Sequence, residues 1–357
     1  MTGPLEEETP VAYDIENDPV YQRFQLIVNG PALFNAIVAG LELGVFDLLA
    51  DHPDADVELI ADSTGLPPHQ LRVLLLALCA TGLVVKQDGR YRNSTVAAVA
   101  LAEDRPDSWR NTLIGWQRFQ YPAFPSLTSA LRTGRNTALD AYPGTGPTLY
   151  HRLSHDPAQE AAYHDSIAPF THLFAKALLE HPEVAGVRHL LDVGGGDGTT
   201  AIAFAENHPR SKATIFDFPT VVKHAETLVP AALADRVLMW PGDLFEDEFP
   251  TGPDGVLFSH VLEPFSAEQS IGLLTRAYQA LPVGGKILAY GMTAPDEEDG
   301  GGLLCARLSL FLSTLASGGG MAHPARDYEA WIREAGCRSV ATYAGLPYEH
   351  SLVVGVK

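Results

Sequence analysis

A short apolar run that ends in an acid and a cluster of glycines constrains this chain more than any other segment. Residues 190–199 read Leu-Leu-Asp-Val-Gly-Gly-Gly-Asp-Gly-Thr. A run rich in β-forming residues, 187–193, leads into the cluster and a helical pattern, 200–206, leads out of it, so the glycines occupy a strand-to-helix turn. Glycine belongs there for two reasons: the turn needs backbone angles that other residues resist, and a ligand must approach the bare backbone. The spacing, Asp192 followed by Gly194, Gly196 and Gly198, differs from the G-x-G-x-x-G pattern of a pyrophosphate-binding turn. Two later apolar runs also end in acids. Residues 213–216 end at Asp217, a carboxylate placed to accept hydrogen bonds from ribose hydroxyls. In residues 241–245 a third acid, Asp243, is followed by the apolar Leu244.

Composition narrows the setting. A chain of 357 residues, 46% of them hydrophobic, has room for one large domain with a substantial core and a smaller second domain. A formal net charge of −20 argues against a nucleic-acid partner, because phosphate neutralisation needs clustered Lys and Arg. Cys79, Cys305 and Cys337 form no close-spaced pair, which suits a reducing cytoplasm and gives neither a disulfide framework nor a cysteine zinc site. Residues 1–18 are acidic and Pro-containing, without a basic or apolar leader pattern, and are expected to form a disordered tail rather than a signal peptide or anchor. No apolar run is read as long enough to span a membrane. A soluble, cytoplasmic protein without membrane or nucleic-acid partners is expected.

Three further regions follow the tail. Residues 19–106 are helical and strongly apolar; 32–49 is apolar nearly all round and calls for cover on several sides, for which a partner subunit is the natural candidate. Helical residues 57–61, a turn at 64–68, a helix at 69–81 and a hairpin over 83–92 make a winged-helix arrangement. Its second helix carries a single Arg and is mostly apolar, so a structural or dimerising role fits better than groove reading. Residues 107–181 form a mostly helical connector whose aromatic stretch, 116–124, is either core or the wall of an apolar pocket. Residues 182–357 alternate strands and helices, with later strands at 255–258, 286–290 and 351–356, which builds a doubly wound sheet.

The turn at 192–198 resembles the first motif of the class I S-adenosylmethionine (SAM) methyltransferases. Nearly the whole chain resembles the small-molecule O-methyltransferases of plant and bacterial natural-product pathways. Beside the turn, the resemblance rests on Gly-Leu-Glu-Leu-Gly-Val-Phe at 40–46, Leu-Pro-Val-Gly-Gly-Lys at 281–286 and Tyr-Glu-Ala-Trp-Ile-Arg-Glu-Ala-Gly at 328–336. It implies an α/β fold in which a C-terminal Rossmann-like, SAM-binding doubly wound sheet follows an N-terminal α-helical winged-helix dimerisation domain. It also implies a homodimer, a small-molecule substrate, and SAM held by Asp192, Gly194, Gly196, Gly198, Asp217, Phe218, Asp243, Leu244 and Ser259.

One position departs from that pattern. Members that methylate hydroxyls carry His-Asp-Trp after the fourth strand, with the histidine as general base; here Val-Leu-Glu-Pro-Phe occupies 261–265 and Glu263 stands at the base position. A carboxylate (reference pKa ~4.3) is a weak base toward a phenol near ~10 unless desolvation strengthens it. His260 precedes Glu263 by one helical turn, and His323 follows the glycine loop 317–320, where O-methylating relatives carry a Gly-Gly-x-Glu-Arg type motif. His260, Glu263 and His323 would make a facial triad suited to Fe(II) or Zn(II). The chain then resembles the branch that C-methylates the β-carbon of a 2-oxo acid, the divalent metal stabilising the enolate. Two alternatives stand beside this expectation: an O-methyltransferase of an aromatic natural product with Glu263 as base, and a SAM-binding protein without methyl transfer. Without a metal, His260 only lines the pocket, His323 bonds a nearby carbonyl, and Glu263 acts as a base or caps the next helix. Arg118, Arg132 and Arg307 are unranked candidates for a substrate carboxylate. Of the histidines before the glycine turn, His172 is expected at the pocket, and His151, His155 and His164 on the surface or in structural roles.

Overall fold

Residues with strand-forming side chains pair into two sheets in the structure, a computed structural model that describes residues 15–103, 105–297 and 302–357. The described residues fall into two compact units that divide after Glu103. Most of the expected N-terminal tail lies outside the described residues. Its end is ordered as a short 3-10 turn, Ile15–Asn17, and Asp18 caps the first helix by accepting from the Val20 and Tyr21 N–H groups.

The first unit is helical with one small hairpin. Helices Val57–Thr64 and Pro68–Ala80 are followed by strands β1 (Val84–Gln87) and β2 (Arg90–Asn93), which pair antiparallel. This is the winged-helix order. Asp56 caps the first of these helices and Gly65 ends it in the left-handed conformation. Phe46, Leu49, Ile60, Leu71 and Leu78 form the unit's core. On the would-be recognition helix, the outward residues include Val73 and Leu76, apolar side chains with nothing to offer a base edge.

The long helix Pro19–Glu42 corrects one expectation. By length and composition it is apolar enough to cross a membrane, contrary to the expectation that no apolar run is long enough. Val20, Phe24, Ile27 and Val28 lie at helical spacing on one stripe and are at least half exposed.

The second unit is built on a seven-stranded sheet. Its strands are β3 (His189–Val193), β4 (Lys212–Asp217), β5 (Val237–Pro241), β6 (Gly255–Ser259), β7 (Lys286–Met292), β8 (Ser339–Leu346) and β9 (His350–Val356). The spatial order is β5-β4-β3-β6-β7-β9-β8, with β9 antiparallel to both neighbours and the other pairings parallel. Alternation along each strand decides which face each side chain covers. Leu190, Ile215, Leu257 and Leu288 pack against helices Pro157–Leu179, Thr199–Asn207 and Pro219–Leu228. Leu191, Phe216, Val256 and Ile287 pack against helices Ala267–Ala280 and Ala325–Glu334 on the other face. Both faces are therefore covered, which explains the near-continuous apolar runs of β3 and β6. Strand β8 has no counterpart in the sequence reading. It is a half-exposed edge strand with Thr, Ala and Gly among its residues, and so lacks the apolar run that marks the others.

Candidate active site

The chain runs outward from β3 through β4 to β5 in one direction, then returns to the other side of β3 for β6 and β7. Loops leaving the C-terminal ends of β3 and β6 must diverge, and an open α/β sheet binds ligands in the crevice this creates. A cavity of about 260 Å³ lies there. The expected residues Asp192, Gly194, Gly196, Asp217, Phe218, Leu244, Ser259, His260 and Glu263 line it; Gly198, Asp243 and His323 do not.

At one end of the cavity is the glycine turn. Gly194 and Gly196 have φ of +65° and +58°, and a Cβ on Gly194 would sit 2.8 Å from Val261 Cγ2. Gly198, also left-handed, is the N-cap of helix Thr199–Asn207. The Gly196 N–H donates to Asp217 Oδ2 at 2.8 Å, and the Phe218 N–H donates to Asp217 Oδ1 at 2.7 Å. The turn's own amide is thus spent on a carboxylate, and Asp192 and Asp197 add two more acids to the lining. Such a wall repels a pyrophosphate and favours a ligand that carries positive charge and hydroxyl groups. Asp192 is 1% exposed and its Oδ2 accepts no hydrogen bond. Burial, reinforced by Asp217 and Asp197, pushes its carboxyl up to about 7. Burial also raises Asp217, opposed by His164 and by the two N–H donors.

Asp243 has a different task. It accepts from the Phe245 N–H at 2.8 Å, its own N–H donates to Asp247 Oδ2 at 2.8 Å, and its Oδ2 lies 3.7 Å from His151 Nε2. The acid shapes the loop, and Leu244 and Phe245 reach the cavity.

Further along the crevice, a chain of side chains converges on Glu263. His260, just after β6, adopts a left-handed φ of +57°, and its N–H donates to the Tyr290 carbonyl at 2.9 Å. Its Nδ1 is 3.3 Å from Glu263 Oε1 and its Nε2 is 3.1 Å from His350 Nε2. His350 Nδ1 lies 2.8 Å from the Tyr348 carbonyl, which only accepts, so Nδ1 carries the proton. Burial, with His260 beside it, lowers His350 to about 3, so the ring is neutral and its Nε2 is an acceptor. His260 Nε2 must then be the donor between the two rings. His260 Nδ1 and Glu263 Oε1 face each other, close enough to share one proton. Oε1 has no hydrogen bond of good geometry, and Glu263 is 3% exposed. Gly291 on β7 lets the carboxylate lie against the backbone, since a Cβ there would be 2.0 Å from Oε1. Helix capping is not Glu263's role: Ser266 and Gln269 form the capping box of helix Ala267–Ala280.

The expected metal triad does not assemble. The loop 317–320 packs on the backbone of Glu263 and Pro264: a Cβ on Gly320 would be 2.2 Å from the Glu263 carbonyl. His323 turns toward helix Ala325–Glu334, its ring edge-on to Trp331 at 4.9 Å and 6.1 Å from Tyr328. Among the described residues, no three His, Cys, Asp or Glu side chains form a group able to hold a metal ion.

Aromatic residues complete the walls. Helix Arg110–Gly115 continues into a π-helical turn, Trp116–Gln120, which gives Trp116 and Gln120 to the cavity. The expected alternatives for this stretch, core or pocket wall, both hold: Trp116 lines the cavity, whereas Phe119 is buried against Tyr163. Helix Pro157–Leu179 presents Glu160, His164, Ile167, Thr171 and Phe174 at helical spacing along one side of the cavity. His172 falls off that stripe, so His164 is the cavity-lining histidine of this helix, joined by His151 from helix Leu149–Leu153. Arg307, on helix Leu303–Phe311, lines the cavity; Arg118 lies over the Phe119 ring and Arg132 is exposed. His350 and Tyr348 were missed by sequence reasoning, because only the β7–β9 register brings His350 opposite Met292, beside His260.

Asp192 gives a signed prediction for the ligand-free protein. Its folded carboxyl keeps a proton up to about pH 7, whereas an unfolded aspartate loses it near ~3.9. Below about 4 the group is protonated in both states. As pH rises through about 7 the folded protein must bury the charge, and the stability associated with the protonated form is lost. Asp192→Asn is therefore expected to raise the melting temperature at pH 8 by several degrees, the gap closing toward pH 5. A lower melting temperature at pH 8 would contradict this assignment.

Comparison with known proteins places the chain. Residues 124–338 match the O-methyltransferase domain family, and residues 26–103 match the O-methyltransferase dimerisation domain family. An L-tyrosine C(3)-methyltransferase of Streptomyces lavendulae is 34% identical, over 87% of this chain and 85% of that one. A 3-hydroxy-5-methyl-1-naphthoate 3-O-methyltransferase of Streptomyces sahachiroi is 31% identical, over 90% and 91%. The apo structure of the S-adenosylmethionine-dependent methyltransferase SibL superposes with a TM-score of 0.78 at 33% identity, over 94% of this chain and 98% of that one. The two curated relatives are named for aromatic acceptors, so the expected metal-dependent 2-oxo acid branch gains support neither from them nor from the side-chain arrangement. The chain belongs to the O-methyltransferase family of SAM-dependent enzymes.

Proposed function

We propose that this protein transfers the methyl group of SAM to an aromatic acceptor activated through a ring hydroxyl, in secondary metabolism, and that it acts as a cytoplasmic homodimer. The observation that carries the reading is a single cavity with an acidic end at the glycine turn, and beside it the Glu263–His260 pair, with Nδ1 3.3 Å from Oε1.

The acidic end fits SAM. Asp192 has an orphaned, buried Oδ2, suited to a cationic group, and glycine at 194 and 196 permits the tight turn, since a Cβ there would meet Val261 at 2.8 Å and His164 at 3.3 Å. Asp217, Phe218, Leu244 and Ser259 complete the residues that would hold it. SAM supplies an electrophilic methyl group on a sulfonium centre. The chain's own residues perform the other half of the reaction. Glu263 and His260 accept the acceptor's hydroxyl proton into the gap between Oε1 and Nδ1, where the charge of a nascent imidazolium is balanced by the carboxylate. His350 holds His260 in the tautomer that leaves Nδ1 bare. Aromatic walls exclude water and orient the ring.

O-methylation is the main reading. A phenolate also carries negative charge on the carbon ortho to its oxygen, and the tyrosine relative's C(3) chemistry favours ring-carbon methylation as the second reading. Deprotonation is common to both, so the atom nearer the methyl group decides the product.

The dimer reading rests on the exposed stripe Val20, Phe24, Ile27 and Val28, on the helix that runs into the dimerisation domain match. Paired substitutions Phe24→Glu and Ile27→Glu are expected to convert a dimer to a monomer in light scattering. A monomeric wild type would contradict that reading.

For catalysis, Glu263→Gln is expected to lower kcat on a hydroxylated aromatic acceptor by about 10²–10⁴-fold, with SAM affinity by calorimetry changed by less than about threefold. His350→Phe is expected to lower kcat by roughly tenfold through loss of the tautomer lock, again without weakening SAM binding. Unchanged turnover in Glu263→Gln would overturn the assignment of the base.

A further inference from the structure

Arg307 is a cation that the cavity encloses and does not neutralise. Its Nη1 donates to Gln120 Oε1, and its guanidinium lies over the Trp116 ring with Cζ 3.8 Å from the centroid. Its Nε is buried and reaches no acceptor, and none of the described residues places a carboxylate within ion-pair distance of it. The acid at the start of the helix that carries Arg307 is already engaged: Glu349 accepts from the Cys305 N–H at 2.8 Å and the Leu304 N–H at 3.3 Å, capping that helix. Burial lowers the guanidinium to about 10, although Tyr121 and Tyr163 act to raise it.

Buried charges are ordinarily paired, and a cation left without a partner on the wall of a ligand cavity is unfavourable until an anion arrives. The guanidinium is held from below by Trp116 and from the side, through Nη1, by Gln120, and its Nε has no acceptor, so a planar anion able to take a fork of hydrogen bonds is the partner the group lacks. SAM brings a carboxylate of its own, but on its methionine end, bonded to the same carbon as the ammonium group that the acidic turn would serve, whereas Arg307 belongs to a different element, helix Leu303–Phe311. The remaining ligand is the methyl acceptor.

We infer that Arg307 forms an anion subsite which receives the carboxylate of the acceptor, so that the substrates are hydroxylated aromatic acids rather than neutral phenols. This rests on the aromatic-acceptor reading above and narrows it. Trp116 and Arg307 together take the acid end of the molecule, and Glu263 with His260 takes the hydroxyl. Arg307 is thus a specificity and positioning residue that makes no contact with the transferred methyl group. Arg118 and Arg132, the other candidates from the sequence, are not among the residues that line the cavity.

The test compares matched pairs on the full-length protein: 4-hydroxybenzoate against 4-hydroxybenzamide, and L-tyrosine against L-tyrosinamide. Binding is read by calorimetry, and methyl transfer is read separately. Wild type is expected to bind at least one acid tenfold or more tighter than its amide. Arg307→Gln is expected to bring that ratio near one by weakening the acid and sparing the amide, and Arg307→Lys to fall between. Equal binding of acid and amide by wild type, no measurable binding of either acid, or equal loss of both by Arg307→Gln would overturn the subsite. The wild-type comparison needs no variant to fold. An intact acid preference without transfer to any of these compounds would support the subsite and count against the proposed reaction alone.

Discussion

A buried carboxylate without a partner is the constraint around which the second unit is arranged. Asp192 lies near the C-terminal end of strand β3, where burial, reinforced by Asp217 and Asp197, holds its proton on to about pH 7. Stability alone would favour an apolar or amide side chain there. The acid makes sense as half of an interaction completed by a cationic ligand, a conflict between local stability and function that is common at sites of chemistry. The glycines follow from the same demand: Asp217 takes the turn's N–H group, and any Cβ at Gly194 would strike Val261.

The turn between β8 and β9 is a second organising element, and it acts on the other side of the cavity. Tyr348 and Glu349 are both left-handed, with φ of +61° and +64°, an uncommon state for residues with side chains. Each has a task that the turn makes possible. The Tyr348 carbonyl sets the His350 tautomer, and through it that of His260; Glu349 caps the helix bearing Arg307. One strained turn, remote in sequence from β6, therefore orients both the proton acceptor and the cation of the cavity.

The parts legible in the sequence are those fixed by local physics. Strands β3, β4 and β6 announce themselves because burial on both faces makes their runs apolar, and the glycine turn because few residues tolerate its backbone. The wing was readable from its turn residues and its apolar second helix. Edge strand β8 was not, since a half-exposed strand carries no apolar run. At the site, Glu263 and His260 were legible as a departure at one position. The triad with His323 was not sound, because spacing says nothing about which way a loop residue turns; Trp331 and Tyr328 draw that ring to another face. His350 was invisible, since its role depends on antiparallel register rather than on neighbours in the chain. His172 was favoured over His164 by segment alone, where helical phase decides between them.

The central claim is that one cavity brings a SAM-derived methyl group to an aromatic ring activated by Glu263 and His260. The most direct measurement is mass spectrometry of hydroxylated aromatic acids after incubation with the protein and SAM carrying a trideuterated methyl group. A single trideuteromethyl gain on oxygen or on the adjacent ring carbon, absent with Glu263→Gln, is the result expected. SAM binding without transfer to any hydroxylated aromatic, or transfer only to 2-oxo acids, would contradict it.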